Sequence, residues 1–217
     1  MLVFLNILLA LALAGLTYKY FELKESIEQE NKPGPDYVRA ISIIIDENES
    51  YQVSHAQRVV NEAEKIAEGM NLDENQINSL RIAAYLHDSG ELLPEYGFLK
   101  KKGSLSEKEW NLLKFHPAVA EKTLRMTLPD DNEVPSIIRW HHEWWDGSGY
   151  PDNLSGNQIP LLARILTVAD AVSAMESERP YRPAMAKAQI EIELDKMAGI
   201  MFDPEVLLAR KRVSGRN

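Results

Sequence analysis

Apolar residues recur along this chain at steps of three and four, and no segment shows a sustained alternation of two, so the pattern predicts helix after helix. Val53, Ala56, Val59, Val60, Ala63, Ile66, Ala67 and Met70 form one amphipathic row that carries His55 near its start. Asp73 is placed to cap the next helix, whose row runs through Ile77, Leu80, Ala83 and Ala84 to His87 and Asp88. Ser106 and Glu109 make a capping-box pair ahead of Trp110 and Leu113. His116-Pro117 marks a break, with proline opening a helix through Val119, Ala120 and Leu124. Pro135 opens another, through Ile137 and Ile138 into Trp140, His141 and His142. Pro160 begins a strongly apolar helix that runs past Asp170 to Met175. A helix over 184–198 ends at Gly199, and Asp203-Pro204 starts a last short one. The expected class is all-α, a helical bundle.

The N-terminal stretch breaks this rhythm. From Met1 to Thr17 the residues are apolar except for Asn6. A bilayer crossing takes about 20 apolar residues, so the run is slightly short. The first basic residues, Lys19 and Lys24, follow it, which places the body of the chain on the cytoplasmic side. The expectation is a single-pass transmembrane anchor over 1–18, with the body of the chain in the cytoplasm. The alternative is a cleaved signal peptide with Ala12-Leu13-Ala14 at its end. Lys32-Pro33-Gly34-Pro35 closes a linker over 19–35, and one folded domain is expected over 36–213.

Composition narrows the chemistry. The 217 residues suffice for one domain with a short appendage. There is no cysteine, so any metal must be held by imidazole and carboxylate. The formal net charge of -9 argues against a polymeric nucleic acid as main partner.

The chain has only five histidines, and each falls at a helix end or on a core-facing row. His87 continues the apolar row of Leu80, Ala83 and Ala84, with Asp88 turned about 100° from it. Taken alone, His87 reads as a hydrogen-bonded core histidine. Asp170, between Ala169 and Ala171, needs a cation or several donors; a structural ion pair with Arg81 is one way to supply them. Trp140, Trp144 and Trp145 read as ordinary packing residues. Five imidazoles and two carboxylates are too many for one metal that must also leave room for substrate. They suit two divalent ions, which about 3.5–4 Å apart generate a hydroxide and hold both non-bridging oxygens of a phosphodiester. Iron or manganese fits such donors, and zinc or nickel is compatible.

The order His55, His87-Asp88, His116, His141-His142 and Asp170 resembles the HD-GYP group of the HD phosphohydrolase superfamily. The stretch from His141 through Trp145, Asp146, Gly147, Ser148, Gly149, Tyr150 and Pro151 is similar to that group's signature. Arg164-Ile165-Leu166, Val168-Ala169-Asp170, Arg179-Pro180-Tyr181-Arg182 and Phe202-Asp203-Pro204 are similar to later blocks. The resemblance implies a metal-dependent hydrolase that opens cyclic di-GMP to linear pGpG or GMP. It implies metal binding by His55, His87, Asp88, His116, His141, His142 and Asp170, with His87 and Asp88 catalytic, and phosphate contacts from Arg179 and Arg182. The loop of Asp146, Gly147, Gly149, Tyr150 and Pro151 is expected at the rim, for access or for docking a signalling protein. A homodimer is compatible with this reading.

Two departures bear on the substrate side. The group's usual His-Asp-x-Gly-Lys reads His87-Asp88-Ser89-Gly90-Glu91 here, and Ser173 stands where aspartate is usual. Both positions are expected to meet substrate, which favours either a hydrolase of reduced or shifted activity or a weak nucleotide-sensing or docking module. Members with a third metal carry a glutamate where Tyr51 stands, so two metals are expected.

Overall fold

A computed structural model describes residues 36–48, 55–101, 103–177 and 184–214. They belong to one compact unit, Asp36–Asn217. The expected anchor, the linker and Tyr51 lie outside the described residues, as does the block of Arg179 and Arg182. Among the described residues no helix is long and apolar enough to cross a membrane.

The architecture is all-helical. In chain order the α-helices are α1 (Asp36–Asn48), α2 (His55–Gly69), α3 (Glu74–Leu86), α4 (Glu107–Leu113), α5 (His116–Arg125), α6 (Val134–Arg139), α7 (Leu161–Glu176), α8 (Lys187–Lys196) and α9 (Pro204–Ser214). Short 3₁₀ turns lie at Ser89–Leu92, Pro94–Lys100 and Gly156–Gln158.

Helix α7 is buried nearly all round, as a helix rich in Leu, Ile, Val and Ala must be, and it forms the spine. Helices α2, α3, α6, α8 and α9 pack around it. Val59, Ala63, Ile66, Leu80, Ile138, Leu166 and Val168 meet in the core at essentially zero exposure. Alanines at 63, 67, 83, 84, 163 and 169 keep facing helices close.

The predicted capping box at Ser106 forms, and the predicted cap at Asp73 is a capping box as well. Gln76 N donates to Asp73 Oδ1 at 3.0 Å, and Asp73 N to Gln76 Oε1 at 3.2 Å. Ser106 N donates to Glu109 Oε2 at 2.7 Å, with Glu109 N returning to Ser106 Oγ at 3.4 Å. These fix the starts of α3 and α4.

The structure departs from the sequence reading in four places. Helix α1 was not expected, because its pattern is blurred: Ile41, Ile43 and Ile44 are exposed while Ser42 and Asp46 are buried. The helix expected over 184–198 is shorter, Lys187–Lys196, and the last one is a full Pro204–Ser214. Pro160 is the N-cap of α7 rather than its first residue.

Candidate metal centre

Four helix ends and the middle of α7 deliver the seven expected residues to one place. His87 follows α3 as its C-cap, His55 and His116 begin α2 and α5, and His141 and His142 follow α6. Asp170 faces them from α7. Neighbouring imidazole centroids lie 5.4 Å apart for His55 and His87, 5.3 Å for His87 and His141, and 5.1 Å for His116 and His142.

The donors divide into two triads. His55, His87 and Asp170 bring ligand atoms within 4.8 Å of one another, and so do His116, His141 and His142. Asp88 stands between them. One of its oxygens is 2.7 Å from His87 Nε2 and 4.0 Å from His55 Nε2, and the other is 3.5 Å from His116 Nε2. Asp170 Oδ1 lies 3.3 Å from His55 Nε2. The alternative pairing of Asp170 with Arg81 does not occur, because Arg81 pairs with Glu64.

The rings are aimed by their outer nitrogens. His87 Nδ1 donates to Ala84 O and His116 Nδ1 to Leu113 O, both at 2.8 Å, and His141 Nδ1 donates to Ile138 O at 2.6 Å. A carbonyl only accepts, so each ring carries a proton on Nδ1 and turns Nε2 inward. The Nε2 atoms of His116 and His141 are buried with no hydrogen-bond partner, and that of His87 meets only the Asp88 carboxylate, at 2.7 Å, and more distantly Asp170. Buried polar atoms are costly when left unpaired, and aimed, unprotonated imidazole nitrogens are what a divalent cation takes. The residues therefore fit divalent metal, with Asp88 placed between the two triads.

The electrostatics agree. Burial, reinforced by the neighbouring imidazoles, pushes His141 well below the usual histidine range, and burial beside His116 takes His142 down to about 4. Burial also lowers His116. Burial opposes charge on His87, yet Asp88 and Asp170 outweigh it and raise that imidazole to about 10. Burial favours a neutral Asp88, but His87 holds it well below the usual carboxylate range. Three imidazoles are thus ready as neutral donors, and one proton is kept between His87 and the carboxylates.

Comparison with known proteins matches this geometry to a family. The HD domain family model covers residues 39–206. The chain is 34% identical over 175 residues to the 3'3'-cGAMP-specific phosphodiesterase 3 of Vibrio cholerae, covering 81% of this chain and 38% of that protein. It is 38% identical over 157 residues to the cyclic di-GMP phosphodiesterase response regulator RpfG of Xanthomonas campestris pv. campestris, covering 72% of this chain and 42% of that one. The chain belongs to the HD domain family. The resemblance to the HD-GYP group holds as well. A crystal structure of a cyclic GMP-AMP-specific phosphodiesterase of V. cholerae shares the fold, with a TM-score of 0.64 at 18% identity over 83% of this chain and 48% of that one. The chain spans about two fifths of the length of these two curated relatives, at 38% and 42%.

Within the HD fold the two departures fall in different places. Glu91 is buried in the 3₁₀ turn after Asp88, 3.6 Å from His116 Nδ1, and with Asp88 and His116 it forms a third cluster of possible ligands. Ser173 does not line a substrate face: it is fully buried behind His55, its Oγ 2.9 Å from His55 Nδ1.

The signature loop is more than a rim. Tyr150 lays its ring on His142 at 4.9 Å, with the Lys114 ammonium 5.9 Å from the phenol ring centre. Burial, then Asp170, Asp88 and Glu91, keep that phenol protonated. Gly149 is forced, because a Cβ there would lie 2.3 Å from Trp144 N and 2.5 Å from His142 O. Asp146 accepts from Ser148 within the turn, and Gly147 holds a positive φ of 86°. Pro151 leads into the strand of chain that Glu143 pins, its carboxylate accepting from Asp152 N at 2.6 Å and Leu154 N at 3.0 Å.

Three supporting residues escaped the sequence reading. Glu143 is the loop's anchor. Thr167 Oγ1, deep in α7, lies 2.7 Å from His141 O and 2.9 Å from Ala163 O, and its single proton is within reach of either carbonyl. Gly90 lets the 3₁₀ turn touch the His116 backbone. A hydroxyl flanked by Leu166 and Val168 in so apolar a helix was the available signal for Thr167.

Proposed function

We propose that this chain is a metal-dependent phosphodiesterase that opens cyclic di-GMP to linear pGpG, or further to GMP, at the centre built by His55, His87, Asp88, His116, His141, His142 and Asp170. The observation that carries the reading is the pair of triads on either side of Asp88, with the buried Nε2 atoms of His116 and His141 aimed inward and unpaired. Relatives named as cyclic di-GMP and 3'3'-cGAMP phosphodiesterases support the substrate class. Two divalent ions held there supply a water of lowered pKa and positive charge for the non-bridging phosphate oxygens.

The chain's own residues do the rest. Neutral His116, His141 and His142 donate without losing a proton at neutral pH. Asp88 spans the triads and fixes their separation. Tyr150 covers His142 and offers an un-ionised phenol at the mouth. Arg179 and Arg182 belong to this reading as phosphate contacts, because planar guanidinium donors suit that task. So does an inner-membrane tether over 1–18, which membrane fractionation of the full chain tests.

A second reading has one specific observation behind it. Glu91 puts a buried carboxylate beside Asp88 and His116, where a phosphate would meet it unfavourably. That favours a weak enzyme or a nucleotide sensor. The test is to purify the chain, measure bound metal, and assay turnover of cyclic di-GMP and 3'3'-cGAMP beside Asp88→Ala. Metal in the wild type and turnover lost in the variant support the enzyme. Tight nucleotide binding without turnover at full metal occupancy supports the sensor, and absence of both metal and nucleotide overturns both.

A further inference from the structure

Ser173 gives His55 a partner unlike those of its neighbours. His87, His116 and His141 each face a carbonyl, which can only accept, so their tautomer is fixed. Ser173 Oγ lies 2.9 Å from His55 Nδ1 and 3.4 Å from His55 O, and a hydroxyl both donates and accepts. Two proton arrangements are therefore open. With the hydroxyl proton on His55 O, Oγ accepts from Nδ1–H and the Nε2 lone pair faces the centre. With the hydroxyl proton on Nδ1, the ring proton sits on Nε2 and points at Asp170 Oδ1, 3.3 Å away. The second arrangement satisfies Asp170 without a cation and must be undone before His55 can bind one.

We infer that Ser173 is a positioning residue for His55: its hydroxyl holds the cation affinity of the His55–His87–Asp170 triad above that of a residue with no polar atom at 173 and below that of a carboxylate there, because it aims the ring yet admits both tautomers. The inference rests on the metal-centre reading above. A carboxylate at 173, which accepts only, would lock His55 as the carbonyls lock its neighbours and add basicity to the ring. Outer partners of metal-binding imidazoles change affinity by about 10–100-fold.

The test is a Mn²⁺ titration of the full chain, reading free Mn²⁺ by electron paramagnetic resonance, with Asp170→Asn marking the step that belongs to this triad. Ser173→Ala is expected to weaken that step about tenfold and leave the other step within about twofold. Ser173→Thr, which keeps the hydroxyl, should match wild type, and Ser173→Asp should tighten the same step. A merely structural role would move both steps together with thermal stability. Ser173→Ala and Ser173→Thr remove or add one small group, so they keep the test standing if the bulkier aspartate fails to fold. An unchanged step in Ser173→Ala overturns the inference while leaving the metal centre intact. A wild-type chain that binds no Mn²⁺ overturns the metal-centre reading and this inference with it.

Discussion

Gly90 sits where no side chain fits, and a single methyl there tests how the centre is braced. A Cβ on Gly90 would lie 2.1 Å from the His116 carbonyl oxygen, 2.9 Å from its carbon and 3.1 Å from Ala120 N. All three are backbone atoms, and Cβ contacts do not fall below 3.0 Å, so Gly90→Ala drives the 3₁₀ turn and α5 apart by about 0.9 Å. His116 begins α5, and its Nε2 stands 3.5 Å from Asp88 Oδ1 on the other side of the wedge. Overpacking of this kind costs about 1–3 kcal/mol. At about 2–4 °C per kcal/mol for a domain of this size, Tm is expected to fall by about 2–12 °C. Misplacement of a catalytic group by about 1 Å costs on the order of 100-fold in rate, so cyclic di-GMP turnover should drop at least that far. Gly97→Ala is the control, because nothing lies within 4 Å of a Cβ there. Thermal unfolding, metal retained after dialysis and turnover are compared for the two variants. If Gly90→Ala matches Gly97→Ala in all three, the bracing argument is wrong.

Glu91→Lys exchanges a buried carboxylate beside Asp88 and His116 for a cation, and is expected to raise cyclic di-GMP turnover on the order of tenfold; no change or a loss means that this position does not meet substrate. The proton that Asp88 and Asp170 hold on His87, with its pKa at about 10, is present at neutral pH and must leave when Nε2 takes a metal. Metal affinity should therefore rise with pH, with release of about one proton per loaded centre, read by calorimetry in buffers of different ionisation enthalpy; affinity flat between pH 6 and 9, with no proton released, would contradict it. Thr167→Val leaves the His141 carbonyl without its buried donor and should cost about 1–3 kcal/mol in denaturant unfolding, with Thr167→Ser close to wild type; equal loss in both would point to packing instead.

The metal-centre candidates were legible because the helical period assigns faces. His55 shares a row with Val59, and His87 with Leu80 and Ala84, so the pattern alone aimed these rings at the core. Caps were legible because a capping box is a local affair of four residues, as at Asp73 and Ser106. Ser173 was misread because its row is that of Asp170, while its depth depends on how α7 crosses α2. Helix crossings are set by packing far apart in sequence. Helix α1 was hidden by exposed isoleucines on its outer face, and Tyr150 by the loop that carries it, where no period exists to say which way a ring turns.

The three carbonyls that aim His87, His116 and His141 belong to Ala84, Leu113 and Ile138, and all three lie at the C-terminal ends of helices, α3, α4 and α6. Such carbonyls lack a partner within the helix, so each ring ends its helix and is aimed by the same bond. The orientation of each ring is thereby settled within a few residues of chain, ahead of any long-range contact. Three of the five rings are thus oriented locally, and the long-range packing has only to bring their helix ends together. A metal held among them would tie those ends to one another and add its binding free energy to the stability of the fold.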